Sequence, residues 1–261
     1  MKKIILFLSA ISFVAITSCS SDDNSDNPDP SSNVLVKRMI TIDEDPDGYN
    51  VDVTYSYDGN KMVQGVYVDG TIEKWYYTGE KVSKIEYIED GIIVEKDLFT
   101  YNAQGQLVEH SYQWPPDDFE DRNTFVHNND NTITVTNSNG EIGHVQDNFS
   151  STRVLTITDG EITKTVIDGV VYDITYDDKN SPFKNVTGFA DIAYTIAGDH
   201  EWEGRAKNIS SIFNVTENKD YTVNTFVYNS NGYPTSVTSN ANFDDNNPNN
   251  METLTVSYVY E

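Results

Sequence analysis

Glycines stand at positions 48, 59, 70, 79, 91 and 105, separated by 11, 11, 9, 12 and 14 residues. This rhythm constrains the fold more than any other feature of the 261-residue chain. Parallel neighbours need crossovers of a dozen residues or more, and the spacing leaves no room for them. Asp-Gly pairs at 47–48, 58–59, 69–70, 90–91, 159–160 and 168–169, with Asn-Gly at 139–140 and 231–232, accept positive φ and mark tight hairpins. Between the turns apolar and polar residues alternate. Val51, Val53, Tyr55 and Tyr57 share one strand face, with Asp52, Thr54, Ser56 and Asp58 on the other. Ile133 and Val135 alternate with threonines, and Tyr172, Ile174 and Tyr176 alternate with Asp173, Thr175 and Asp177. The expectation for residues 34–261 is a single all-β repeat domain, an antiparallel meander of about 16–18 strands.

A slower register overlies the glycines. Phe99-Thr100-Tyr101-Asn102-Ala103-Gln104-Gly105-Gln106-Leu107 parallels Phe226-Val227-Tyr228-Asn229-Ser230-Asn231-Gly232-Tyr233. Shorter relatives surround Tyr57, Tyr77 and Tyr176, and at His127 a histidine takes the tyrosine position. One hairpin fills each repeat. The tyrosine packs at the strand end, Asn or Asp tolerates the turn, and glycine takes the left-handed position. Ser181-Pro182 reads as the start of a short helix within a long connection reaching to about Lys207.

The N-terminus carries a different message. Met1-Lys2-Lys3 precedes an apolar run from Ile4 to Ile16, too short to span a bilayer and built like a secretory signal. Thr17-Ser18-Cys19 closes it, and Cys19 is the only cysteine. Residues 1–18 are therefore expected to be a lipoprotein signal peptide with Cys19 as the lipidation site. Residues 19–33, rich in Ser, Asp and Pro, read as a disordered tether.

The Thr17-Ser18-Cys19 segment resembles the lipobox of bacterial lipoproteins. The following Ser20-Ser21-Asp22-Asp23 resembles the acidic export signals of Bacteroidetes surface lipoproteins. The Tyr-Asn/Asp-x-x-Gly-x-Leu element resembles the YD repeat of RHS-type proteins. Together these features look like a group of Bacteroidetes lipoproteins of unknown function, some with a porin-like or open-barrel fold. The resemblance implies a lipid anchor in the outer membrane, at the surface or on the periplasmic face, and it nominates no catalytic residue.

Charge and composition narrow the function. Forty-two acidic against 17 basic residues give a net charge of −25, which opposes nucleic-acid binding through phosphates. A single cysteine excludes disulfide frameworks and multi-cysteine metal sites. Asp43, Asp45 and Asp47, followed by Gly48, match the opening of a calcium loop, but Thr54 stands where the bidentate glutamate belongs. The competing reading is an acidic hairpin tip, and no other cofactor is implied. His110, His127, His144 and His200 show no metal-binding spacing, and no nucleophile elbow or phosphate loop is present. Trp75, Trp114 and Trp202 could stack on sugars or fill a core.

A lipid anchor makes a membrane-spanning barrel redundant, so the tyrosine-rich face is expected to turn inward in water. So many strands closed into a round barrel would leave a lumen too wide for side chains to fill. A curled single sheet, a flattened barrel or an open barrel follows. The functional expectation is a lipid-anchored envelope lipoprotein with a non-catalytic binding or structural role, its partner a glycan or a protein. The alternative is a cell-surface glycan-processing hydrolase using paired carboxylates, which requires a cleft that gathers two carboxylates with a tryptophan.

Overall fold

The computed structural model describes residues 34–44, 48, 50–146, 148–196, 203–241 and 252–261. The signal peptide, Cys19 and the tether lie outside the described residues, as do Asp45, Asp47, His200, Trp202 and Asp244–Asn247.

The chain forms sixteen strands: β1 (Val36–Asp43), β2 (Val51–Asp58), β3 (Lys61–Tyr67), β4 (Ile72–Thr78), β5 (Lys81–Glu89), β6 (Ile92–Tyr101), β7 (Leu107–Trp114), β8 (Phe119–His127), β9 (Thr132–Glu141), β10 (Asn148–Thr158), β11 (Glu161–Ile167), β12 (Val170–Tyr176), β13 (Ile209–Asn214), β14 (Lys219–Tyr228), β15 (Pro234–Ala241) and β16 (Glu252–Tyr260). Each pairs antiparallel with its sequence neighbours, and β1 pairs with β16, so the meander closes into a barrel. Closure rests on Met39 opposite Tyr258 and Thr41 opposite Val256, residues more than two hundred positions apart.

Turn chemistry sets the register. Asp90-Gly91, Asp159-Gly160 and Asp168-Gly169 are two-residue loops with positive φ at both positions, as the right-handed twist of the flanking strands requires. Gly105 and Gly232 take φ of 76° and 75° within the Tyr-Asn-x-x-Gly loops. Asn139-Gly140 is not a turn. It lies inside β9, which runs to Glu141, and the chain reverses at Gly143, whose φ is 76°.

The two sequence registers correspond to the two ends of the barrel. The Tyr-Asn/Asp-x-x-Gly loops all follow even-numbered strands and gather at one end. There the strand-end side chains stitch neighbouring hairpins together. The Tyr57 hydroxyl donates to the Val36 carbonyl at 2.7 Å, Tyr101 to Val82 at 2.9 Å, Tyr176 to Ile162 at 2.8 Å and Tyr260 to Pro234 at 2.7 Å.

This end is plugged. Between β12 and β13 the chain turns inward and forms α1 (Phe189–Ile196), which packs against β5 and β7. The helix starts after Gly188, not at Ser181-Pro182, where Lys184 N–H donates to the Ser181 carbonyl in a simple turn. Gly188 has φ 78°, and a Cβ there would lie 3.0 Å from the Glu80 carbonyl oxygen and 3.1 Å from the Val82 nitrogen. Only glycine allows the plug to lie so close to β5. Phe189, Ile192 and Ala193 form the buried face of α1 at helical spacing. Phe183 meets Tyr55 edge-on at 5.8 Å and Phe189 at 5.0 Å.

Polar contacts hold the plug at both flanks. Asn60 and Asn185 clamp its entry: Thr187 N–H donates to the Asn60 carbonyl, and the Asn185 amide donates to the Val34 carbonyl. On its exit the buried Glu161 carboxylate accepts from the backbone N–H groups of Arg205, Ala206 and Lys207 at 2.9, 2.7 and 3.0 Å. Lys81 pairs with Asp191 at 2.8 Å. The chain thus supplies its own filler for one end of a sixteen-stranded ring.

The outer face is polar at mid-strand. Gln64, Lys74, Glu86 and Lys96 sit side by side across β3 to β6. Glu86 accepts from Lys84 at 2.7 Å and from the Tyr76 hydroxyl at 2.8 Å. Burial alone would raise its pKa, but these two bonds outweigh that effect and hold it below the usual glutamate value. Arg38 and Asp52 pair bidentately at 2.7 and 2.6 Å across β1 and β2. A barrel that crosses a bilayer carries an apolar band there, and each lysine or arginine at its midplane costs about 2–4 kcal/mol.

Candidate functional site

The part of the lumen not taken by the plug is a cavity of about 890 Å³. It runs from Phe183 and Phe189 of the plug to Asp43, Val51 and Phe119 at the far strand ends. Its wall carries six carboxylates, Asp43, Glu73, Glu95, Asp97, Asp121 and Glu203, and no lysine or arginine among the described residues. Aromatic rings separate them: Trp75, Tyr67, Tyr87, Tyr112, Phe99 and His110.

Strand parity places these groups. Glu73 and Trp75 alternate with the outward Lys74 and Tyr76 on β4. Glu95, Asp97 and Phe99 share the inward face of β6. His110 and Tyr112 face inward on β7. Room for the Glu73 carboxylate comes from Gly65 on β3. A Cβ at that position would stand 2.8 Å from Glu73 Oε2.

Glu73 is 4% exposed and accepts hydrogen bonds from the Trp75 indole and, at 3.2 Å, from the Tyr67 hydroxyl. Burial pushes its pKa up to about 7, opposed by the two hydrogen bonds and reinforced by the nearby Asp97 charge. Burial also raises Tyr55 and Tyr87 well above the ordinary tyrosine value, with the Glu73 charge adding to it. The wall is thus rich in acceptors, and its phenols stay protonated.

A second polar unit lies on β6 and β7. His110 Nε2 stands 2.7 Å from Asp97 Oδ1, and its ring stacks on Phe99 at 5.0 Å and 12°. The carboxylate favours a proton on Nε2. Nδ1 is buried and has no partner among the described residues. The Tyr112 hydroxyl donates to Glu95 at 3.4 Å.

The residues singled out in the sequence distribute unevenly. Trp75 and His110 belong to the cavity, whereas His127 serves as a strand-end donor and His144 is exposed beside Glu141. Trp114 ends β7. Asp43 lies on the cavity wall at the end of β1, while its calcium-loop companions Asp45 and Asp47 fall outside the described residues. Among the described residues no group of three His, Cys, Asp or Glu has metal-binding geometry. Glu73, Glu95 and Asp97 were not singled out. Their signal is parity, since each lies two residues from an inward aromatic or another inward acid.

No family model and no curated protein matches the sequence. Among solved structures the chain is similar to a porin-like protein from Bacteroides uniformis, at 12% identity and TM-score 0.41, covering 87% of this chain and 98% of that one. It is also similar to a porin-like protein from Bacteroides vulgatus, at 10% identity and TM-score 0.47, covering 88% and 99%. Likeness at this level carries no functional argument, and the reading below rests on the geometry of the chain itself.

Proposed function

We propose that the chain is a lipid-anchored envelope protein, tethered through Cys19, whose barrel stands in water and whose lumen binds a small ligand without transforming it. The observation that carries this reading is the cavity wall, where six carboxylates and several aromatic rings face a space with no lysine or arginine among the described residues. Such a wall offers acceptors and ring faces, so it suits a ligand that presents donors, either sugar hydroxyls or ammonium groups. The plug, with Phe183 and Phe189, closes one end of this space. Titration of intrinsic tryptophan fluorescence with a neutral oligosaccharide series and with a polyamine tests it, because Trp75 lies in the wall. Saturable change with either class, weakened in Asp97→Asn, is the expected result. No response to either class removes the binding reading.

A second reading has its own observation. The cavity gathers Glu73, raised to about 7, with Asp97 and Trp75, the combination a glycan hydrolase needs. In that reading Glu73 holds a proton for the leaving oxygen and Asp97 is the second carboxylate. Release of reducing ends from glycans by the wild-type chain, abolished in Glu73→Gln, would select it over simple binding.

A further inference from the structure

A second, smaller compartment of about 230 Å³ lies between the plug and strands β10 to β14. Among the described residues Glu203 alone borders both spaces. The wall differs in kind from that of the lumen. Leu155, Ile162, Ile167, Ile174, Ile209 and Ile212 make it apolar.

Two guanidinium groups reach this compartment, and they differ in their state. Arg205 is committed to the plug. It donates from Nε to the Ala190 carbonyl at 2.7 Å and from Nη1 to the Gly160 carbonyl at 2.6 Å, and it lies over the Tyr194 ring at 4.8 Å. Arg153 makes one long bond, from Nη2 to the Tyr194 carbonyl at 3.4 Å. Among the described residues its buried Nε has no partner, and no carboxylate is hydrogen-bonded to it. Asp121 attracts it from farther off while its own carboxylate accepts from Asn137. Glu203, the acid on the same wall, accepts from the Tyr258 hydroxyl.

Among the described residues, then, this arginine inside the barrel has no ion-pair partner. Desolvating a cation without a counter-charge is costly, and the planar fork of guanidinium fits a carboxylate in bidentate fashion. We propose that this compartment is a binding site for an amphipathic monocarboxylate, with Arg153 holding the carboxylate and the isoleucine-rich wall taking the hydrocarbon tail. The site goes beyond the lumen reading and does not depend on it, since the two walls select opposite charges.

The test uses the full chain carrying Cys19→Ser, so that neither lipid nor detergent competes for the apolar wall. Calorimetric titration compares octanoate, octanol and inorganic phosphate. Octanoate should bind, octanol about tenfold or more weakly for want of the charged hydrogen bonds, and phosphate not at all. Arg153→Gln should weaken octanoate by a similar factor and leave octanol unchanged. Equal binding of octanoate and octanol, binding of phosphate as tight as octanoate, undiminished octanoate binding to Arg153→Gln, or no octanoate binding to the wild-type chain would each overturn the proposal.

Discussion

His127 Nε2 lies 2.8 Å from the Leu107 carbonyl oxygen, the position that the Tyr101 hydroxyl holds relative to Val82 one repeat earlier. A histidine has replaced a tyrosine in the repeat without losing its donor. The stitch recurs at Tyr57, Tyr101, His127 and Tyr176, so the phenol ring is one way to deliver it, whereas the Tyr228 hydroxyl donates to the Asp177 carboxylate instead.

The first prediction follows directly. His127→Tyr should leave stability unchanged or slightly raised, because the hydroxyl can restore the bond to Leu107. His127→Phe keeps an aromatic ring and loses the donor, so it should destabilise by about 1 kcal/mol. Tyr101→Phe should lose a similar amount for the same reason. Urea unfolding of the three variants measures it. Equal stability of the Tyr and Phe variants at 127 would show that the stitch contributes nothing.

Glycine positions give the second prediction, with a built-in contrast. Gly105→Ala and Gly232→Ala place a side chain at φ of 76° and 75° and should each cost about 1 kcal/mol. At Gly188 the same φ penalty combines with a Cβ pressed against the Glu80 and Val82 backbone, so Gly188→Ala should cost more than either. Gly140 has no positive φ, and its Cβ would meet the side chain of Gln146. Its alanine variant should be the mildest of the four in denaturant unfolding.

Much of the barrel is written locally, and the residues show which part is not. Val53 and Tyr55 against Thr54 and Ser56 specify a strand and its inward face by alternation alone. Asp-Gly at 90–91 and 159–160 specifies where the chain reverses. Nothing local specifies that Met39 should pair with Tyr258, because ring closure is a relation between the two ends of the domain. The plug has a comparable history. Gly188 and Gly204 read as interruptions, yet each is where the filler approaches the wall too closely for a side chain. At Gly204 a Cβ would sit 2.6 Å from the Tyr176 ring and 3.0 Å from the Glu161 carboxylate, both on the wall. The lumen acids were legible by parity and were obscured by composition, since among so many acidic residues no single inward glutamate stands out.

The outer surface yields a third prediction. With Gln64, Lys74, Glu86 and Lys96 abreast at mid-strand, the barrel should need no lipid around it. The chain from residue 19 onward carrying Cys19→Ala, and so free of the apolar run Ile4 to Ile16, should therefore partition into the aqueous phase in a detergent phase-separation experiment, while the wild-type chain follows the detergent. Recovery of the Cys19→Ala chain in the detergent phase would mean that the strands themselves contact hydrocarbon.

The last prediction concerns Glu73 and pH. Its pKa is about 7 in the folded barrel against an ordinary value of 4.5. The folded state therefore holds this proton more tightly than the unfolded chain. The stabilisation it brings is fully present below pH 4.5 and is lost as pH rises through 7. The difference corresponds to roughly 3 kcal/mol for a group this deeply buried. Other carboxylates act in the opposite direction. Asp52, held low by the hydrogen bond from Arg38, loses stability as pH falls, so the wild-type profile alone is a composite. The informative quantity is the difference between wild type and Glu73→Gln, followed by urea unfolding from pH 5 to pH 8.5. Glutamine keeps an acceptor for the Trp75 indole and never ionises. The variant should therefore gain on the wild type as pH rises from 5 towards 7, and the gain should level off above about pH 7. A difference that stays flat across this range would place Glu73 in contact with solvent, and with it would go the neutral acid that the hydrolase reading requires.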